Sequence, residues 1–172
     1  MKNIFKIIIV VLSISMLPLF GISNNSRLKG DSKPIITKIL ENEGIENYRI
    51  PAFIIRFALK NSDESDEITP FLNGCRYINL AICENDVKNY KESYSLICKR
   101  LSESSYVNLV DINDGESKIS IMSLFERDII SELVILIVDD EEFVSLSMTG
   151  KIDPKEISKV IAELNKSKST NN

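Results

Sequence analysis

The sequence predicts an α+β domain: a mostly antiparallel sheet, with a strand meander in its C-terminal half, covered by helices on one face. Three observations lead there. Amphipathic helical patterns stand near both ends of the chain and once in the middle. From Tyr106 to Thr149 short alternating or apolar runs are separated by turn residues, as in strands joined by hairpins. Among these runs, Glu132 to Val138 is apolar on both faces, as a central strand should be.

The elements follow in order. Lys33 to Glu43 predicts a helix, with Ser32 as a cap, Pro34 in the first turn and Gly44 as the stop. Ile35, Ile36, Ile39 and Leu40 fall on one face. Ile45 to Ile50 is a short extended stretch. Pro51 to Lys60 fits a helix or a buried strand; helix is favoured because Phe53, Ile54, Phe57 and Ala58 share a face and Pro51 suits a first turn. Asn61 to Thr69 carries Ser62, Asp63, Glu64, Asp66 and Glu67 and predicts a loop.

Cys75 to Cys83 alternates, with Ile78, Leu80 and Ile82 on one side and Tyr77, Asn79 and Ala81 on the other, which predicts a half-buried strand. Arg76 shares parity with Ile78 and Leu80 and so belongs at the rim or in an ion pair. Asn85 to Ser102 predicts a helix with a stripe of Val87, Tyr90, Tyr94, Ile97, Cys98 and Leu101. Tyr106 to Ile112 and Lys118 to Phe125 flank Asn113-Asp114-Gly115-Glu116, where Asp-Gly favours the positive φ of a hairpin turn. Asp139 to Glu142 is a charged turn. Phe143 to Thr149 alternates Val144, Leu146 and Met148 inward with Ser145 and Ser147 outward. The last helix starts with Asp153 as N-cap, Pro154 at N1 and Glu156 at N3, and Ile152 and Ile157 can form a staple. Ile157, Val160, Ile161 and Leu164 make its apolar face.

The N-terminus predicts export. Lys2 and Lys6 precede an apolar run from Ile7 to Phe20, and Gly21 and Ser23 suit a cut before Asn24. The run would reach about 21 Å as a helix, short of a ~30 Å hydrocarbon core, so no stable transmembrane anchor is expected after cleavage. The expected organisation is a signal peptide at 1–23, a flexible segment at 24–31, one domain at 32–164 and a disordered tail at 165–172. The expected location is the periplasm or cell envelope.

Charge and composition exclude several functions. Losing Lys2 and Lys6 takes the net charge from −4 to −6, and no basic stripe is present to grip nucleic acid. The chain has no His, which removes Ser-His-Asp and Cys-His nucleophile pairs and His-ligated metals. Both Gly-rich phosphate-binding patterns are missing. Cys75, Cys83 and Cys98 leave at least one thiol free; Cys75 and Cys83 lie about 26 Å apart along one strand, beyond disulfide reach. Cys98 on its apolar stripe reads as a small hydrophobe. Tyr90 and Tyr94, a turn apart, read as core packing with hydroxyls at the edge. Asp111, Asn113, Asp114 and Glu116 resemble a calcium loop, but Gly115 is at the fifth position where the EF-hand needs the sixth, so a hairpin turn is favoured. The acidic runs 63–67 and 139–142 read as solvated turns.

Three features together resemble a bacterial family described as domain of unknown function 4252: Leu72 to Cys83 before an amphipathic helix, Glu132 to Val138 with its acidic turn, and Gly150-Lys151-Ile152-Asp153 leading into Ile157. The likeness spans residues 32–164, and the Gly-x-Ile-Asp element is its most specific part. It implies a small envelope protein, in a family whose members are often lipid-anchored; this chain lacks the lipidation Cys. It implies no catalytic residue and no cofactor. The expected function is therefore a non-catalytic module that binds an envelope protein or a small ligand. The alternatives are a His-free hydrolase or transferase with two convergent carboxylates, and weak divalent-cation binding at the acidic turns.

Overall fold

The computed structural model describes residues 33–59, 69, 72–84, 87–113, 115 and 117–159. The expected leader, the 24–31 segment, the acidic loop after Lys60, and Val160, Ile161, Leu164 and the tail lie outside these residues. Helix α1 (Ile35–Asn42) leads into strand β1 (Tyr48–Pro51) and helix α2 (Ala52–Leu59). Strand β2 (Cys75–Glu84) is followed by the long helix α3 (Val87–Glu103). Strands β3 (Val107–Asn113), β4 (Lys118–Glu126), β5 (Ile129–Val138) and β6 (Glu142–Ile152) form the meander. Residues 154–159 begin a last helix, α4.

All pairings are antiparallel, and the sheet order is β1-β2-β6-β5-β4-β3. The chain must therefore cross from β2 to β3 over three intervening strands. Four strand spacings are about 19 Å, and the 17 residues of α3 span roughly 25 Å, enough to make that crossing as one helix.

The expected α+β class and antiparallel meander are present. The covering of the sheet differs from expectation, because helices lie on both faces. One face carries Ala81, Met122, Val134, Leu136, Val138 and Phe143 under α1 and α3. The other carries Ile78, Leu80, Ile121, Leu133, Ile135, Leu146 and Met148, and packs with Ala52 and Ile55 of α2 and Ile157 of α4. Each fully buried Leu or Ile contributes about 1.5–3 kcal/mol, so both layers matter. Consequently β2 is buried on both sides rather than half-buried, and Ser145 and Ser147 are not outward but sealed under the helices.

Two expectations about side-chain direction are corrected. In α2 the buried face is Ala52 and Ile55, whereas Phe53 and Phe57 are 63% and 79% exposed. Pro51 ends β1, and the helix begins at Ala52. Arg76 is exposed and does not share the face of Ile78. A bulge between Cys75 and Tyr77 inserts one residue, so Cys75 keeps the inward side and Arg76 turns out.

Glycines shape that corner. An added Cβ on Gly150 would lie 2.0 Å from the Gly74 carbonyl oxygen, and one on Gly74 would lie 2.2 Å from that of Lys151. The Lys151 N–H donates to Gly74 O at 2.8 Å. Two residues on, Asp153 caps α4 through the Lys155 N–H at 2.9 Å, and Ile152 and Ile157 are buried together. Glu156 pairs with Lys159 at 2.8 Å and does not close the capping box. The Gly-Lys-Ile-Asp element thus packs the end of β6 and starts a helix.

Both α1 and α3 end in Schellman motifs. After α1 the Gly44 N–H donates to Glu41 O and the Ile45 N–H to Leu40 O, with Gly44 at φ +73°. After α3 the Ser105 N–H donates to Ser102 O and the Tyr106 N–H to Leu101 O, with Ser105 at φ 70°. The start of α1 has no side-chain cap, and Pro34 occupies the N-cap position.

Candidate functional site: a polar cleft between α3 and the β3–β4 hairpin

Helix α3 lies on the sheet through buried Tyr94, Ile97 and Leu101, and Tyr90 stacks on Phe143 with ring centroids 6.2 Å apart. Its other flank stands clear of the outer hairpin, and a cleft of about 350 Å³ opens there. Ser95, Cys98, Lys99 and Ser102 line it from the helix; Asn108, Asp111 and Asn113 from β3; Lys118, Ser120 and Met122 from β4.

Backbone register assembles the β side. Asp111 pairs with Ser120 and Asn113 with Lys118. Strict alternation would put Asn108 opposite in sense to Asp111. A register shift between Asn108 and Val110 removes that conflict, so all three polar residues of β3 face the cleft. The turn beyond them joins Asn113 to Lys118, with Gly115 at φ +93° and its N–H bonded to Asn113 Oδ1 at 3.2 Å. It is the expected hairpin, with four residues in its loop.

The floor is a directed hydrogen-bond chain. Tyr94 Oη lies 2.7 Å from Ser120 Oγ, and Ser120 Oγ donates to Asp111 Oδ1 at 3.1 Å. A carboxylate oxygen only accepts, so Ser120 gives its proton to Asp111 and Tyr94 gives its own to Ser120. Burial pushes the Tyr94 hydroxyl pKa up, so it stays a donor. The Cys98 thiol sits beside Ser120 and Tyr94, and burial raises its pKa as well. It is a poor source of thiolate at neutral pH.

The other thiols are similar. Burial pushes Cys75 up to about 12, against a lowering by Arg56, and Cys83 is raised by burial despite Tyr90. All three cysteines are free. Among the described residues no group of three His, Cys, Asp or Glu side chains is placed to hold a metal. The acidic run after β5 is a turn in which Asp139 Oδ1 accepts from the N–H of Glu141 and Glu142 at 2.7 and 2.9 Å. A paired-carboxylate mechanism needs two acids in one pocket, and among the described residues this cleft is lined by one, Asp111.

A second polar group was not foreseen from the sequence. Glu132, on β5 beneath α1, is 4% exposed, and burial raises its pKa. It faces the Tyr106 hydroxyl and the first amides of α1, at Ile35 and Ile36, which lower it in part. These contacts are loose: Glu132 Oε1 and Tyr106 Oη make no well-formed hydrogen bond among the described residues. Glu132 thus stands where an N-cap side chain would serve α1. Reading it as part of an apolar strand hid this role.

A third feature is the aromatic pair Phe53 and Phe57, one turn apart on the outer side of α2, next to edge strand β1 with Tyr48 47% exposed. Among the described residues no helix is long and apolar enough to cross a membrane.

These features define a class: a small antiparallel α+β domain with a polar cleft at the edge of its sheet. The chain belongs to the family described as domain of unknown function DUF4252, whose sequence model matches residues 37–160. That span runs from α1 through α4 and includes the cleft. No curated protein and no solved structure matches the chain.

Proposed function

We propose that this protein is an exported, non-catalytic module that binds a small polar molecule in the cleft between α3 and the β3–β4 hairpin. The observation that carries this reading is the Tyr94–Ser120–Asp111 chain, which gives the cleft a fixed, ordered polar floor. Small-ligand sites combine a preformed hollow with a few oriented polar groups. Binding rather than chemistry fits the side chains present. Burial holds the Cys98 thiol protonated, and among the described residues one carboxylate, Asp111, lines the cleft.

Titration of the isotope-labelled protein with a panel of small saccharides and organic acids tests the proposal. Resonance shifts confined to Ser95, Lys99, Asn108 and Lys118 are the expected result. Saturable shifts elsewhere, with none at these residues, would overturn it. Export is tested separately by sequencing the N-terminus of the protein recovered from its cell. Asn24 is the expected first residue, and an intact Met1 counts against the leader.

The exposed Phe53 and Phe57 favour a second reading, docking of an envelope protein at α2. Cross-linking in the envelope, compared between the native chain and Phe53→Ser/Phe57→Ser, tests it. A partner captured equally by both removes α2 from consideration.

A further inference from the structure

We infer that the ligand of the α3–β3–β4 cleft is a hydroxylated organic anion, bound through the ammonium groups of Lys118 and Lys99; this rests on the cleft being the binding site. Among the described residues the lining carries two ammonium groups and one carboxylate, in a chain whose net charge is −4. Lys118 is half-buried, and among the described residues it has no carboxylate within ion-pair distance. Some other cations do have partners: Arg100 meets Glu43 at 2.7 Å and Lys159 meets Glu156 at 2.8 Å. Lys99 reaches Glu103 only at 4.0 Å, with both side chains well exposed, a contact of little strength. Asp111 already accepts from Ser120. The half-buried ammonium of Lys118 is less screened than one on an open surface, and Lys99 adds its charge from an exposed position.

Hydrogen-bond accounting points the same way. The hydroxyl protons around the cleft are committed. Ser95 donates to Lys91 O, Ser102 to Cys98 O, Ser120 to Asp111, and Tyr94 to Ser120. The donors left for a ligand are the two ammonium groups and the amides of Asn108 and Asn113. A ligand rich in acceptors suits that set. The serine oxygens and the amide oxygens remain as acceptors for ligand hydroxyls. The volume of about 350 Å³ lies at the small end of ligand sites, roughly 300–1,000 Å³, and suits a single sugar-sized ring.

The test uses protein purified from cells expressing the full chain, titrated with glucuronate, glucose 6-phosphate, glucose and glucosamine. Glucuronate or glucose 6-phosphate should bind at least about tenfold more tightly than glucose, with resonance shifts in the cleft and weakening as salt rises. Which of the two binds better identifies a carboxylate or a phosphate as the anion. Lys118→Met should weaken the anion by about tenfold or more and glucose by clearly less. Lys99→Glu, at an exposed position where folding is not at stake, should weaken it as well. Equal binding of glucose and the anions, or unchanged anion affinity in both variants, overturns the anion inference and leaves the cleft reading standing. Absence of cleft shifts with all four probes overturns both.

Discussion

The carboxyl of Glu132 faces the hydroxyl of Tyr106 inside the protein, beneath the first turn of α1, and neither group is fully satisfied there. Burial is the main cause of both raised pKa values; the Glu132 carboxyl pushes Tyr106 further up, whereas the Tyr106 hydroxyl lowers Glu132 in part. This pair ties the N-terminal helix to the centre of the sheet.

A pH dependence follows from it. The folded pKa of Glu132 lies above its unfolded value near 4.5, so the folded state holds the proton more tightly. Its stabilising contribution is fully present below that value and is lost as pH rises through the folded pKa. Glu132→Gln keeps an acceptor for α1 and removes the titration. The variant should melt higher than the native chain at pH 8, with a difference that vanishes near pH 4. Melting curves across that range check this, and equal curves at pH 8 would contradict it.

Gly150 and Gly74 touch backbone to backbone, leaving no room for a methyl group. Gly150→Ala places its Cβ against the Gly74 carbonyl oxygen, and backbone on both sides cannot swing away. The expected loss is about 1–3 kcal/mol, as for overpacking. Urea unfolding of the variant measures it.

The two Schellman ends differ only in the residue at positive φ. Ser105→Gly relieves the left-handed strain of a side chain and should stabilise by about 0.5–1 kcal/mol. Gly44→Ala should cost a similar amount. Opposite shifts in melting temperature are the expected pair of results.

Ser120 joins the core to the cleft. Ser120→Ala strands the buried Tyr94 hydroxyl and should cost about 1–3 kcal/mol. Adding Tyr94→Phe should recover part of that loss. A double-mutant cycle gives the coupling, and strict additivity would show that the 2.7 Å contact contributes nothing.

The three free thiols predict a simple titration. Cys75 should be unreactive towards a thiol reagent at pH 8 in the folded protein, and Cys83 and Cys98 slow. Unfolding should expose all three at once.

Much of the fold was legible because local chemistry writes it. Gly44 as a helix stop, Asp153 as an N-cap with the Ile152–Ile157 staple, and Asp-Gly in the β3–β4 turn each act within a few residues of chain. The turn at Arg127 and Asp128 escaped notice for the converse reason. It holds Arg127 at φ 58° without the Gly or Asn that signals such a turn, and β5 therefore begins earlier than the apolar pattern alone implied.

The cleft was not legible, although its residues were. Tyr94, Cys98, Asp111 and Asn113 each drew attention singly, as core, inert thiol or turn. Their meeting depends on the passage of α3 over the sheet and on one inserted residue in β3, neither of which leaves a periodic trace. By itself the sequence determined the elements, the absence of histidine chemistry and the surplus of acid, since these depend on composition and short-range spacing. Only the tertiary structure decided strand order, which faces are sealed, and which polar groups converge. Those outcomes rest on contacts between residues far apart in the chain, where burial and register, not local preference, set the geometry.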